Sequence, residues 1–156
     1  MKAIIFFKSL SNYITMEIRR AKNSDLPRLA EMYLALYRHI SGPETSSLES
    51  MNRYANRKLH QKHHFTFVAE ENSELIGAIT VRLLSKKMGR LIDAYVEPVQ
   101  RRKGVLRKLE SRVRVFLKKR DVTSITLEVQ SDNAEGISSW KSLGYMTYEV
   151  SMKKEI

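Results

Sequence analysis

The stretch Val96-Glu97-Pro98-Val99-Gln100-Arg101-Arg102-Lys103-Gly104-Val105-Leu106 decides how this chain is read. It closes a β-like run, Leu91-Ile92-Asp93-Ala94-Tyr95-Val96, at a proline. It then turns through three cations and a glycine, and opens a helix. That order of parts makes an anion site. The first N–H groups of a helix lack internal partners, and the helix dipole places partial positive charge there. A phosphate or pyrophosphate can fill that position, with Gly104 letting its oxygens approach the backbone. Arg101, Arg102 and Lys103 add longer-range attraction. The same residues also fit a βα turn with a solvated basic rim, and local chemistry leaves both readings open.

A second stretch, Glu128-Val129-Gln130-Ser131-Asp132-Asn133 running through Trp140 to Leu143-Gly144-Tyr145, reads as strand, turn, short helix and glycine stop. Together the two stretches resemble the GNAT family of acetyl-coenzyme A-dependent N-acetyltransferases. The family's loop, Arg/Gln-x-x-Gly-x-Gly/Ala, is matched by Arg101 to Leu106 after a Val-x-Pro at Val96-Glu97-Pro98. Its later motif is matched by Leu127-Glu128-Val129, Asn133, Trp140 and Leu143-Gly144-Tyr145. The spacing is similar above all to the ribosomal-protein N-terminal acetyltransferase branch. Leu106 stands where the family prefers Gly or Ala. Trp140 stands where the family places a Tyr that protonates the departing thiolate, and an indole cannot release a proton near neutral pH.

The resemblance implies acetyl-CoA as co-substrate and no metal. It implies that Arg101, Arg102, Lys103, Gly104, Val105 and Leu106 hold the pyrophosphate. Tyr95 and Val96 would pair with the pantetheine arm through free backbone groups. Asn133 is either a cofactor contact or the cap of the short helix. In the similar branch a Glu at the position of Glu128 is the general base, and a mid-strand carboxylate is otherwise expected to be paired or solvated. Asp93 is the reserve candidate for the same role. Trp140 would either donate its N–H to the thiolate or pack against pantetheine. The implied fold is α+β, a mixed sheet of six to seven strands with helices on both faces, and adjacent parallel strands splayed apart to admit the cofactor arm.

The chain's bulk properties agree with one domain. Its 156 residues suffice to bury a core without staples. There is no cysteine, which excludes disulfides and thiolate metal sites. No run approaches the ~18 apolar residues of a membrane span, and a cytoplasmic location is expected. Residues 1–15 read as an extension and residues 16–156 as the domain. Lys and Arg number 28 against 17 Asp and Glu, a net charge of +11. Nucleic acid, an acidic protein and a polyanionic cofactor all fit that charge.

Periodicity supplies the remaining elements. Met16 to Ala21 reads as a strand. Ser24 or Asp25 caps a helix with Leu26, Leu29, Ala30, Tyr33 and Tyr37 inward. Ser46 with Glu49 suggests a capping box for a helix that turns Leu48, Met51, Ala55 and Leu59 inward. Phe65 to Glu70 and Leu75 to Leu84 form a hairpin about Asn72-Ser73. The helix from Val105 buries Val105, Leu109, Val113 and Phe116, and presents Arg107, Lys108, Arg112, Arg114, Lys118 and Lys119 outward. Ile125 to Val129 is a strand, and Tyr145 to Met152 is a last one. His60, His63 and His64 read as a solvated helix end with no third metal ligand.

The expected function is transfer of acetyl from acetyl-CoA to a primary amine, whether a protein N-terminus, a lysine or a small amine, by direct attack. Two rivals stand beside it: a CoA-binding module with little catalysis, and a basic nucleic-acid-binding protein. The expected partner is the amine acceptor, with no membrane; a homodimer is compatible with the reading.

Overall fold

The structure is a computed structural model that describes residues 15–44 and 46–156. The expected extension lies almost wholly outside the described residues. A five-stranded sheet runs β1 (Glu17–Arg20), β2 (His64–Glu71), β3 (Glu74–Leu83), β4 (Met88–Val96) and β5 (Ser124–Thr126), in that spatial order. The first four strands pair antiparallel, and β4 pairs with β5 in parallel. Helices α1 (Leu26–Ser41) and α2 (Leu48–His60) cover one face. Helix α3 (Val105–Lys118) covers the other, and α4 (Ala134–Ser142) follows β5.

Alternation along the strands feeds two cores. On the α1/α2 face, Val68, Leu75 and Ala78 meet Leu29, Met32, Tyr33, Met51 and Ala55. On the α3 face, Phe67, Ile79, Val81 and Leu91 meet Val105, Leu109, Val113 and Leu117, which recur every fourth residue along one stripe of the helix. Val68 and Phe67 are adjacent yet enter different cores, as a two-residue period requires. Asn72 and Ser73, at φ 52° and 64°, make the expected tight turn of the β2–β3 hairpin. Gly77 on β3 lets α3 approach closely: a methyl there would stand 3.0 Å from the Tyr95 carbonyl oxygen and 3.2 Å from Val105 Cγ1.

Five expectations are corrected. The sheet has five strands, not six or seven. The strand expected at Ile125 to Val129 pairs only over Ser124–Thr126, its ladder to β4 ending at Arg90, immediately before the Ile92 bulge that begins with Leu91. No strand forms from Tyr145 to Met152, and Met146, Tyr148, Val150 and Met152 stay 77–94% exposed. The cap of α2 is Ser47 with Ser50, not Ser46 with Glu49: Ser47 has extended backbone and its hydroxyl accepts from the Ser50 N–H at 3.1 Å. His64 does not share a solvated helix end with His60. The helix stops at His60, and His64 opens β2, where it is buried.

Candidate active site

The site grows from a defect in β4. Val81 is opposite Leu91 and Thr80 is opposite Asp93, so Ile92 is an extra residue on the β4 side. A bulge bends its strand and increases its twist. The ladder to β5 ends beside it: Met88, Gly89 and Arg90 pair with Ser124, Ile125 and Thr126, and the pairing goes no further. From Leu91 to Val96 one edge of β4 is therefore open, and the chain after Thr126 diverges from it. Among the described residues, the buried side-chain polar atoms without a partner are Arg90 Nε and Thr126 Oγ1, both from the last rung before this fork.

The basic turn expected to hold an anion lies at the far end of the open edge. Pro98–Gln100 form a 3-10 turn, and Arg101 Nε donates to the Val96 carbonyl at 3.2 Å. Arg102 and Gly104 both have positive φ, 61° and 80°. Gly104 is the N-cap of α3, and its carbonyl receives the first intrahelical bond from Lys108 N at 3.1 Å. The N–H groups of Val105, Leu106 and Arg107 precede that bond and point out of the helix. A side chain at Gly104 would meet nothing within 4 Å, so the space above the turn is open. Val105 itself is buried in the core and offers only its backbone to the turn. Arg28 of α1 braces this region through ion pairs to Glu31 and to Glu97.

Asp93 lies on the α1/α2 side of the fork and is 2% exposed. The Tyr54 hydroxyl is 3.0 Å from both of its carboxylate oxygens, and Tyr37 donates to Oδ1 at 3.1 Å. Burial raises the Asp93 carboxyl above its ordinary value, against the pull of the Tyr54 hydroxyl. Burial, followed by the charge of Asp93, raises both tyrosines as well, so they stay donors. A second buried chain sits behind them: Tyr33 OH meets Thr80 Oγ1 at 3.0 Å, and Thr80 meets Thr66 at 2.9 Å. The sequence signal for this cluster was slight, since Tyr37 reads as one more apolar position on α1.

Glu128 is separate from Asp93. Its neighbour Leu127 rests on the α3-side core, so Glu128 turns to the opposite face. It is exposed and accepts from Arg90 Nη1 at 3.0 Å. Asn133 caps α4, its Oδ1 accepting from the Gly136 N–H at 2.8 Å. Tyr95 turns its ring to the α1/α2 side and donates to Glu97 Oε2 at 3.3 Å. Trp140 is half-buried against the α3-side core, with its ring edge-on to Tyr145 at 5.4 Å. The Tyr145 hydroxyl lies 3.4 Å from Glu110 Oε1 and is raised by burial and by that carboxylate. A depression of about 490 Å³ lies elsewhere, between β1 and the start of α1. Its Arg19, Asp25 and Glu70 are bound to one another, so it offers little unsatisfied polarity.

The sequence profile of the acetyltransferase (GNAT) family matches residues 26–145. The chain belongs to this family. It is thereby an acetyl-CoA-dependent N-acetyltransferase by class. Similar solved structures agree in fold. A possible acetyltransferase from Clostridium difficile 630 superposes with a TM-score of 0.74 at 18% identity, covering 90% of this chain and 97% of that one. An aminoglycoside 6'-N-acetyltransferase from Acinetobacter haemolyticus gives 0.74 at 22% identity, with 90% and 99% covered. A third, an aminoglycoside N-acetyltransferase in complex with CoA, gives 0.74 at 17% identity, with 91% and 95% covered. A comparison with curated proteins finds no match. Among the described residues, no helix of this GNAT protein is long and apolar enough to cross a membrane.

Proposed function

We propose that this chain moves acetyl from acetyl-CoA to a primary amine, binding the cofactor across the fork with its pyrophosphate at the start of α3. The observation that carries the reading is the alignment of two openings on one strand: the unpaired edge of β4 from Leu91 to Val96, and the open turn at Gly104 just beyond it. Arg101, Arg102 and Lys103 draw the phosphates in, and the first amides of α3 receive them. The pantetheine amides pair with the backbone of Tyr95 and Val96 as a short added strand.

The reaction follows from that placement. The amine nitrogen attacks the acetyl carbonyl carbon. The carbon–oxygen π pair moves onto oxygen, where backbone N–H groups of β4 stabilise it. Collapse expels the CoA thiolate by breaking the carbon–sulfur bond, and the amide remains. Glu128, exposed at the mouth of the fork and held by Arg90, takes the proton that the amine loses. Asp93 is the weaker candidate because two tyrosines shield it; it sets the shape of the acceptor side. Water delivers the proton to the thiolate, since Trp140 has none to give and Tyr145 is turned to Glu110. The acceptor is a primary amine, with peptide N-termini, lysine and small polyamines of the aminoglycoside kind as the classes to compare.

The test is release of free CoA over a panel of those three amine classes, with the melting temperature read with and without acetyl-CoA. Turnover with at least one class, and a melting temperature raised by acetyl-CoA, is expected. A raised melting temperature with no turnover would favour the second reading, a CoA-binding module, which Trp140 and Leu106 support. No thermal shift at millimolar acetyl-CoA would overturn both.

A further inference from the structure

We propose that the end of the sheet remote from the Gly104 turn binds the phosphate backbone of a nucleic acid, with Arg20 and Arg120 clamping phosphates over a bed of phenylalanines. Phe65 and Phe67 of β2 pack against Phe116 of α3, with ring centroids 4.7 and 5.3 Å away. Arg20, the last residue of β1, lays its guanidinium carbon 4.9 Å from the Phe65 ring centroid, 5.3 Å from that of Phe67 and 5.7 Å from that of Phe116. Arg120, just past α3, comes within 3.8 Å of Phe116 and 5.6 Å of Phe65. Two exposed cations thus share two rings. A guanidinium resting on a ring keeps its N–H edge for a phosphate, which it can hold by two bonds at once. Arg120 donates one N–H to the Phe116 carbonyl, at 3.3 Å, and keeps the others.

No carboxylate balances this pair. Arg19, Arg28, Arg53, Arg90 and Arg114 each meet an Asp or Glu. Among the described residues Arg20 and Arg120 meet none, and the residues outside that set contain no Asp or Glu. Burial, and after it the charge of Arg120, lowers the Arg20 guanidinium below its ordinary value. The surroundings add to the imbalance. The turn at 61–63 meets the end of β3, where the Leu83 N–H donates to the His63 carbonyl at 2.9 Å. The turn at 84–87 meets the one at 119–123, where the Thr123 N–H donates to the Lys87 carbonyl at 3.0 Å. These three turns carry Lys62, Lys86, Lys87, Lys119 and Arg120 against the single carboxylate of Asp121. A face kept only for solubility mixes both signs.

The partner follows from what this face lacks. An acidic protein would be held by bare aromatic or apolar anchors in pockets. Here the rings are already covered by guanidiniums. A phosphate backbone needs only a track of cations, and it offers one charge after another. Such contacts position a strand without reading its bases, so binding is indifferent to sequence. The site is also separate from the turn proposed for the cofactor phosphates. Lys87 precedes β4 and Gly104 follows it. Arg120 lies beyond the last residue of α3, about 20 Å along the axis from Val105. Both anions can therefore be held at once, and the site stands whether or not acetyl-CoA is turned over.

The experiment is fluorescence anisotropy of the full chain with a labelled duplex DNA and a labelled single-stranded RNA, each at ~50 and ~200 mM KCl. At least one probe is expected to bind, and which one names the form of the strand. Its affinity should fall at least ~10²-fold between those salt concentrations, as about four phosphate contacts require. Arg20→Met with Arg120→Met keeps apolar stems on the rings and removes both charges. That variant should bind at least ~10-fold more weakly at the lower salt, with the log–log salt slope reduced by about two. Arg53→Gln with Lys153→Gln removes the same charge from α2 and the C-terminal segment, and should change the affinity by less than about twofold. Should the methionine variant fail to fold, Lys62→Gln with Lys86→Gln and Lys87→Gln carries the same expectation. Saturating acetyl-CoA should leave binding unchanged. No binding at the lower salt, an equal loss in the Arg53 and Lys153 control, displacement by acetyl-CoA, or displacement by poly-glutamate as readily as by unlabelled nucleic acid would each overturn the proposal.

Discussion

The Tyr54 hydroxyl sits 3.0 Å from both carboxylate oxygens of Asp93, across 39 residues of sequence. The carboxylate is nonetheless harder to ionise than usual, because burial outweighs its tyrosine donors. Between the ordinary carboxyl value and the raised one, the folded state holds more protons than the unfolded chain. Stability therefore falls as pH rises through that interval, and the full penalty persists above it. Asp93→Asn keeps the shape and removes the charge. Urea unfolding at pH 4 to 8 should show the variant gaining steadily on wild type as pH climbs. A pH-independent difference would mean that burial does not govern Asp93.

Asp25 behaves with the opposite sign. Arg19 donates to it at 2.7 Å and holds its carboxyl below the ordinary range, and the Lys22 N–H adds a second bond. This contribution is complete above the ordinary carboxyl value and is lost as pH falls through the depressed one. Asp25→Asn should cost about 1.5–3 kcal/mol at pH 7. The two proteins should converge as pH falls below ~4, read from melting temperatures across the acid range.

Gly104→Val tests the seat. The strained φ costs about 1–2 kcal/mol of stability, which thermal unfolding reads directly. The side chain enters the open space above the turn, so the acetyl-CoA Kd should rise by at least ~10-fold, beyond what the strain explains. An unchanged Kd in calorimetric titration would remove the pyrophosphate from this turn.

Glu128→Gln separates chemistry from structure. The exposed pair with Arg90 contributes at most about 1 kcal/mol, so unfolding should barely change. The rate at neutral pH should fall by ~10²-fold, and by less in alkaline medium, where more of the amine is already neutral. An unaltered rate and pH profile would shift the proton to water.

Trp140 is the residue where this chain departs from the family's usual acid. If protonation of the thiolate limits the rate, Trp140→Tyr should hold or raise kcat, and Trp140→Phe should leave kcat within about threefold while weakening acetyl-CoA binding through lost packing. A steep fall of kcat in Trp140→Phe at unchanged Kd would show that the indole N–H stabilises the thiolate.

Much of this architecture was legible because periodicity reports which face of an element seeks burial. The α3 stripe and the β2–β3 turn at Asn72-Ser73 follow directly from residue type and spacing. The turn before α3 followed from residue type, with Gly104 in the left-handed conformation that opens the helix. What alternation cannot report is which edge a strand meets. Met146 to Met152 alternates fully and yet pairs with no strand among the described residues. Nor does it show a bulge, since Ile92 looks like any other strand residue until Thr80 and Val81 are counted against it. Long-range polar partners were equally hidden. Asp25 reads as a helix cap, and only the folded chain sets Arg19 beside it. Tyr37 reads as core, and only the crossing of α1 over β4 aims its hydroxyl at Asp93.

Gly77 sets how closely α3 approaches the sheet, and so the height of the seat proposed for the cofactor. The missing methyl would have stood 3.3 Å from Leu109 Cδ1, closer still to Val105, and within 3.0 Å of the Tyr95 carbonyl. Any side chain at this position would act as a shim beneath the first turn of α3, tilting its amides away from the fork. With the cofactor placed as proposed above, the span between its phosphate end and its reacting end is gauged by Gly77 from beneath the helix. A ligand of fixed arm length would read a one-carbon change at Gly77 as a misfit at the carbonyl, many bonds from the substitution itself.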